Sequence, residues 1–320
     1  MHRIIIINKK ETTYMFYEIP KRADITDYID DSLKNISQQY KNTKLFSFGK
    51  SVLKRDLLCL KIGKGKKSII LVGAHHAMEY MTSFVLLEFA EKILDAAENG
   101  KEMGFFSKEE LLEMYEKKCI YIIPALNPDG IDIERGNIKK GALYDALLKM
   151  NKGSHDFSHW QANAAGVDLN HNYNAGFDKS KMLEKEYGVS VPGPTRFAGE
   201  APESEPESMA LADLTRALKF SLSSVIALHT QGEEIYYDYN GKSSCRSKLM
   251  AECFAALSGY KVSRPDGIAS YGGYKDWVID SLGIPAFTVE CGKGENPLPD
   301  SDLESVYKKT EPILLSAAAF

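Results

Sequence analysis

Short, continuously apolar runs alternate along the chain with longer stretches in which apolar residues recur every three or four positions. The first kind reads as buried strand and the second as amphipathic helix. S-I-I-L-V at 68–72 and C-I-Y-I-I-P-A-L at 119–126 are apolar throughout, as strands covered on both faces are. K-L-F-S-F at 44–48 and D-L-L-C-L-K-I at 56–62, split by polar residues, predict a hairpin. Ile25, Tyr28, Ile29, Leu33 and Ile36 have helical spacing, and a long helix is predicted from Glu79 to Ala97, ended by Asn99-Gly100. Ser107 and Glu110 form a capping-box pattern that opens another. N-P-D-G at 127–130 reads as a turn. Farther on, helices are predicted near 205–219, 245–257 and 273–282 and from about 301, with strands at 223–228, 234–239 and 286–290.

Strands alternating with helices predict an α/β fold, a single domain whose mixed, mostly parallel central sheet is covered by helices on both faces. Residues 1–44, a short strand-like piece and then the first helix, read as an N-terminal extension, and 45–320 as the domain itself. Residues 150–205 break the pattern. They are rich in Gly, Asn, Pro and Ser, and a long stretch of that kind inside a regular chain predicts functional surface.

Composition removes several classes of function. The 320 residues carry 44 acidic and 40 basic side chains, a net charge of −4, with no Lys/Arg-rich stretch. That argues against a nucleic-acid partner and against disorder. No apolar stretch is long enough to span a membrane. The five cysteines are odd in number and widely spaced, which argues against a disulfide framework and for a reducing compartment. The start M-H-R-I-I-I-I-N-K-K-E has too short an apolar run for a signal-peptide core, with Met15 as an alternative start. A cytoplasmic protein is expected. The oligomeric state is not legible.

The chemistry gathers where apolar runs end. His76 and Glu79, in G-A-H-H-A-M-E, sit where a strand hands over to a helix, three residues apart and so on one side of the chain. Imidazole and carboxylate are zinc ligands, and strand ends are where α/β proteins place ligand sites. The competing reading is a histidine closing the strand and a glutamate favoured at the helix N-terminus. A catalytic zinc needs a third protein ligand. His229 also ends a buried strand and is the natural candidate; His155 and His159, in H-D-F-S-H, are the rivals but lie in a loop-like context. Glu290 ends the strand A-F-T-V, costly for a carboxylate without a partner or a task. Near a metal it could take a proton from an attacking water; otherwise it accepts backbone N–H bonds from the G-K-G turn that follows.

G-A-H-H-A-M-E, N-P-D-G, G-V-D-L-N-H-N-Y-N-A-G-F, S-E-P-E, L-H-T-Q-G and F-T-V-E-C-G resemble, in order and rough spacing, the zinc carboxypeptidases. H-T-Q-G-E-E-I-Y-Y and E-C-G-K-G-E-N-P-L-P look most like the bacterial branch that cleaves γ-D-glutamyl–diaminopimelate bonds. The resemblance covers about residues 45–320 and implies a catalytic domain with one zinc, held by His76, Glu79 and His229, with Glu290 as general base. It places Asp168 behind His76 as acceptor for the ring's other N–H. It also implies substrate contacts at Asn170 and His171, a mobile tyrosine for which Tyr271 is the nearest candidate, and a pocket-floor position at Lys275. A lysine there would favour an acidic side chain; the alternative is a solvated helix residue.

Two departures bear on the substrate. Members of the family normally carry an arginine where His171 stands, to grip a terminal carboxylate, and a second, oxyanion-stabilising arginine where Gln161 stands. Histidine cannot make the bidentate fork, and glutamine donates without charge. The expected activity is a zinc metallopeptidase acting on small peptides or muropeptides. An amidohydrolase or deacylase on another small amide, or a catalytically weak sensor of wall peptides, are the alternatives.

Overall fold

The computed structural model describes residues 16–20 and 25–320. The expected N-terminal strand-like piece and Met15 lie outside the described residues. Helix α1 (Ile25–Gln39) buries Ile25, Ile29, Leu33 and Ile36, and Tyr28 stacks on Phe84. The hairpin follows as β1 (Thr43–Lys50) and β2 (Asp56–Ile62), with Leu45 opposite Leu60. Then come β3 (Lys67–Val72), α2 (Met81–Asn99), α3 (Lys108–Lys117) and β4 (Lys118–Ile123). Gly100 ends α2 in the left-handed region at φ 61°, and the Ser107–Glu110 capping box opens α3. The chain continues through α4 (Pro128–Glu134), α5 (Ala142–Met150), α6 (Phe177–Glu186) and α7 (Pro206–Leu218). After β5 (Leu222–His229) and β6 (Glu234–Tyr236) come α8 (Cys245–Ser258), β7 (Lys261–Val262), the short α9 (Tyr274–Trp277), β8 (Ala286–Glu290) and α10 (Leu303–Ala319).

The strands form one sheet in the order β1-β2-β4-β3-β5-β8-β6-β7. The central β4, β3, β5 and β8 run parallel, while β2 and β6 lie antiparallel to their central neighbours. Successive side chains point to opposite faces. Ile69, Leu71, Ile226 and Leu228 face the core shared with α1, α2, α8 and α10. Ile70, Val72, Val225 and Ala227 face that of α7 and α9. Both faces are covered, which is why these runs are apolar without alternation. No helix among the described residues is long and apolar enough to cross a membrane.

The turn expected at 127–130 is instead the start of α4. Asn127 accepts a hydrogen bond from Gly130 N as the cap, and Pro128 takes the first helical position, where a missing N–H costs nothing. Asn127 does more than cap. Its buried Nδ2 reaches the carbonyls of His75 (3.1 Å), Gln161 (3.2 Å) and Ala162 (3.1 Å), tying the β3 exit to the 161–162 segment. Replacing Asn127 with Ala removes a cap and strands buried carbonyls, so unfolding free energy falls by about 2–4 kcal/mol. Denaturant titration measures this, and a loss under about 0.5 kcal/mol contradicts the role.

Residues 150–205 are less irregular than expected. They contain α6 and a 3-10 turn over Leu169–His171. Hydrophobic periodicity could not reveal α6, because it buries Phe177 alongside Ser180 and Glu184. Similarly, α5 was not expected, and it fully buries only Leu147.

Candidate active site

Three neighbouring parallel strands deliver the reactive groups at their carboxyl ends, where open α/β sheets bind ligands. β3 leads to His75 and His76, β5 ends at His229, β8 ends at Glu290, and the last two are register partners. The chain leaving β3 turns through Ala77–Glu79 into α2 and brings Glu79 back toward the strand ends. Glu79 Oε1 lies 2.9 Å from His76 Nδ1, and Oε2 lies 2.9 Å from His229 Nδ1. The ligand atoms of His76, Glu79 and His229 all lie within 4.8 Å of one another. His75 points elsewhere, fully buried, stacked on His229 and tilted against Tyr274. His155 and His159 are exposed, His155 against the Tyr144 hydroxyl, and neither belongs to this group.

Asp168 stands behind the histidine. Its Oδ1 lies 3.0 Å from His76 Nε2, and the carboxylate is held by the backbone N–H groups of Asn170 (3.2 Å) and Arg196 (3.1 Å). A carboxylate there keeps the imidazole proton on Nε2, leaving the Nδ1 lone pair for a metal. Two imidazole Nδ1 atoms and one carboxylate, all buried or nearly so, fit a catalytic zinc with a position open to substrate. Burial alone would depress the His76 pKa, but Glu79 and Asp168 outweigh it and hold it well above the usual value. Burial would likewise raise Glu79, but His76 and His229 pull its carboxyl down to about 2. Asp168 is held below the usual carboxylate range against its burial, chiefly by His76 and His171.

Glu290 differs from these. Among the described residues nothing hydrogen-bonds or ion-pairs with its carboxylate, so the backbone partners expected of a purely structural role do not appear. Burial and the neighbouring Glu79 push its pKa well above the usual value, Glu234 adds to the rise, and His76 opposes it. It is an unpaired carboxyl beside a metal-ligand group.

A zinc carboxypeptidase sequence profile matches residues 29–312, nearly the whole chain. The chain belongs to the zinc carboxypeptidase family. γ-D-Glutamyl-L-diamino acid endopeptidase 1 of Lysinibacillus sphaericus is 35% identical over 287 residues, spanning 89% of this chain and 70% of that protein. Thrombin-activatable fibrinolysis inhibitor superposes with a TM-score of 0.70 at 20% identity, covering 92% of this chain and 73% of the other. Murein-tripeptide amidase MpaA of Escherichia coli O157 gives a TM-score of 0.51 at 18% identity, with 86% and 92% covered. At those identities the two structures speak for the fold alone. Membership makes the chain a peptidase of a family that uses one zinc, and His76, Glu79 and His229 form the group that could hold it.

The remaining expected residues are each held by contacts of their own. The Gln161 carbonyl accepts from Ala77 N at 3.0 Å, and its side-chain oxygen accepts from Thr195. Its Nε2 has no acceptor among the described residues. Asn170 Oδ1 accepts from Tyr274 N at 3.1 Å. His171 is buried with Nδ1 3.0 Å from the Tyr271 carbonyl and Nε2 3.9 Å from Asp168, so both nitrogens face protein acceptors. Gly272 lets the 271–276 segment lie against His171; a Cβ there would meet the His171 carbonyl at 2.4 Å. Lys179 Nζ sits 5.3 Å from the Tyr271 ring centroid. Lys275 is not solvated: it is 4% exposed, and its ammonium binds Asp276 and the Asp238 carbonyl.

Several supporting residues escaped the sequence reading. Asn163 Nδ2 is held by Glu205 (2.7 Å) and Glu207 (3.2 Å), the two acids of S-E-P-E, while Glu207 also takes Val52 N. Burial raises the Glu207 pKa to about 7. Asn172 Nδ2 bonds the carbonyls of Ala198 (2.7 Å) and Ala201 (3.1 Å). The available signal was asparagine itself, at 163 just before the G-V-D-L-N-H-N segment and at 172 within it. Asp168→Asn removes the anion behind His76 and weakens zinc binding about 10–100-fold. Competition with a chromogenic chelator measures it, and unchanged affinity contradicts the assignment.

Proposed function

We propose that this chain hydrolyses the amide between a γ-D-glutamyl residue and a diamino acid in small peptides of the kind derived from peptidoglycan. The observation that carries the reading is Glu290, unpaired among the described residues and adjoining the His76–Glu79–His229 group. The relative at 35% identity, named for that bond, supports the substrate class.

His76, Glu79 and His229 would hold the metal, and Asp168 fixes the His76 ring. Zinc, when bound, supplies Lewis acidity that polarises the scissile carbonyl and acidifies a water. Glu290 accepts the proton of the attacking water and delivers it to the leaving amine. The free Nε2 of Gln161 donates to the oxygen that gains charge. Asn170 and His171 orient the carboxyl end of the substrate, and Tyr271 takes the place of the family's mobile tyrosine. Lys275, already satisfied by Asp276, contributes by fixing the 271–276 segment and not by a free charge. A cytoplasmic setting is supported by five unpaired cysteines, three of them buried.

A neutral Gln161 and a His171 with both nitrogens facing protein acceptors also suit a second reading, an amidohydrolase on another small amide. Product analysis by mass spectrometry separates the two. The zinc-loaded protein is incubated with a γ-D-glutamyl–diaminopimelate peptide, ordinary C-terminal peptides and acylated amino acids. Release of diaminopimelate from the first alone is expected. Cleavage of only the acylated amino acids establishes the second reading instead.

A further inference from the structure

We propose that Glu234, across from the general base, binds the free primary ammonium group of the substrate's diamino acid. The inference rests on the peptidase reading and adds a specificity residue to it.

Glu234 lies opposite Glu290 in the antiparallel pair of β6 and β8, so their side chains share one face of the sheet. Gly232 marks the space between them: a Cβ there would lie 3.5 Å from Glu234 Cγ and 3.6 Å from Glu290 Cβ. The residues on either side of Glu234 turn elsewhere. Ile235 is buried in the core, and Glu233 is ion-paired with Lys293 (3.0 Å) and Lys309. By contrast, no Lys, Arg or His among the described residues lies within ion-pair distance of Glu234.

Glu234 is nevertheless held in place, because the Tyr236 hydroxyl donates to its Oε2 at 2.7 Å. That leaves Oε1 as a fixed, half-buried acceptor next to the general base. A carboxylate facing another carboxylate is unfavourable without a compensating cation. A second metal does not fit, since among the described residues His76, Glu79 and His229 make the one group with three candidate ligands. The occupied Oε2 also disfavours the two-pronged guanidinium grip, which uses both carboxylate oxygens. A compact ammonium needs one good acceptor and suits the remaining oxygen. A diamino acid brings such a group, since one amine lies in the scissile amide and the other stays free.

The test compares a γ-D-glutamyl–diaminopimelate peptide with the same peptide acetylated on its free amine. Zinc-loaded wild type and Glu234→Gln, which keeps the acceptor for Tyr236, are assayed for kcat and KM. Both peptides are also titrated calorimetrically into Glu290→Gln and the Glu234→Gln/Glu290→Gln double variant. Wild type is expected to prefer the free amine at least 10-fold in kcat/KM, with Glu234→Gln collapsing the ratio through KM. The same amine dependence is expected in binding to Glu290→Gln, and its loss in the double variant. Equal cleavage of both peptides by wild type, or an equal loss on both in Glu234→Gln, overturns the inference and leaves the peptidase reading standing. Amine-dependent binding without cleavage upholds Glu234 and overturns the proposed bond. Neither cleavage nor amine-dependent binding overturns both.

Discussion

Replacing Glu290 with Gln lowers kcat by about 10²–10⁴-fold, the range that a positioned general base contributes, while zinc content stays at one per chain. Glutamine has the same shape, and no described neighbour hydrogen-bonds the Glu290 carboxylate, so the fold loses nothing when the charge goes. The loss should fall on kcat more than on KM, because proton transfer matters in the transition state and not in binding. The pH profile adds a signature. Burial, Glu79 and Glu234 push the Glu290 carboxyl up, so its basic form accumulates at higher pH than for an ordinary glutamate. Wild-type kcat/KM therefore falls on the acid side as Glu290 takes up a proton, and the residual rate of the variant lacks that step. Full activity in Glu290→Gln removes it as the base.

Removing the metal has the other large effect. Stripping zinc, or replacing His229 with Ala, abolishes turnover and lowers thermal stability. A ligand present at about 1,000 times its dissociation constant stabilises the folded state by about 4 kcal/mol. The size of that loss depends on pH. In the metal-free protein, Glu79 is depressed from 4.5 to about 2, and its contribution is fully present above pH 4.5 and lost as pH falls through the folded value. His76 is raised above 6.5, and its contribution is fully present below pH 6.5 and lost as pH rises through its folded value. Protons thus hold the trio together between those limits, whereas zinc needs the imidazoles neutral. The drop in melting temperature on chelation is expected to be larger at pH 8 than at pH 6, as scanning calorimetry reads directly. An equal or reversed difference places the metal elsewhere.

The candidate metal and base residues stand out in the sequence because each interrupts an apolar run at a strand end. His76, His229 and Glu290 would be wasteful at the ends of S-I-I-L-V, S-S-V-I-A-L and A-F-T-V unless something binds there, and the parallel sheet brings those ends together. The strands and most helices were legible for a related reason, since burial on two faces leaves a simple apolar signal. What was not legible is held by polar contacts. Asn127 reads as a turn residue until its three carbonyl acceptors, all distant in sequence or across the β3 exit, are in place. The polar buried side of α6 carries no period. Lys275 reads as solvated or substrate-facing, and its partner Asp276 lies next to it in sequence, yet only burial shows that the charge is already matched.

Zinc titration of stripped protein tests the central assignment most directly. Hydrolysis of the γ-D-glutamyl–diaminopimelate peptide should rise linearly and level off at one equivalent of zinc per chain, with His229→Ala and Glu290→Gln near zero throughout. Full activity without zinc, or a plateau at a different stoichiometry, contradicts a single zinc at His76, Glu79 and His229 working with Glu290.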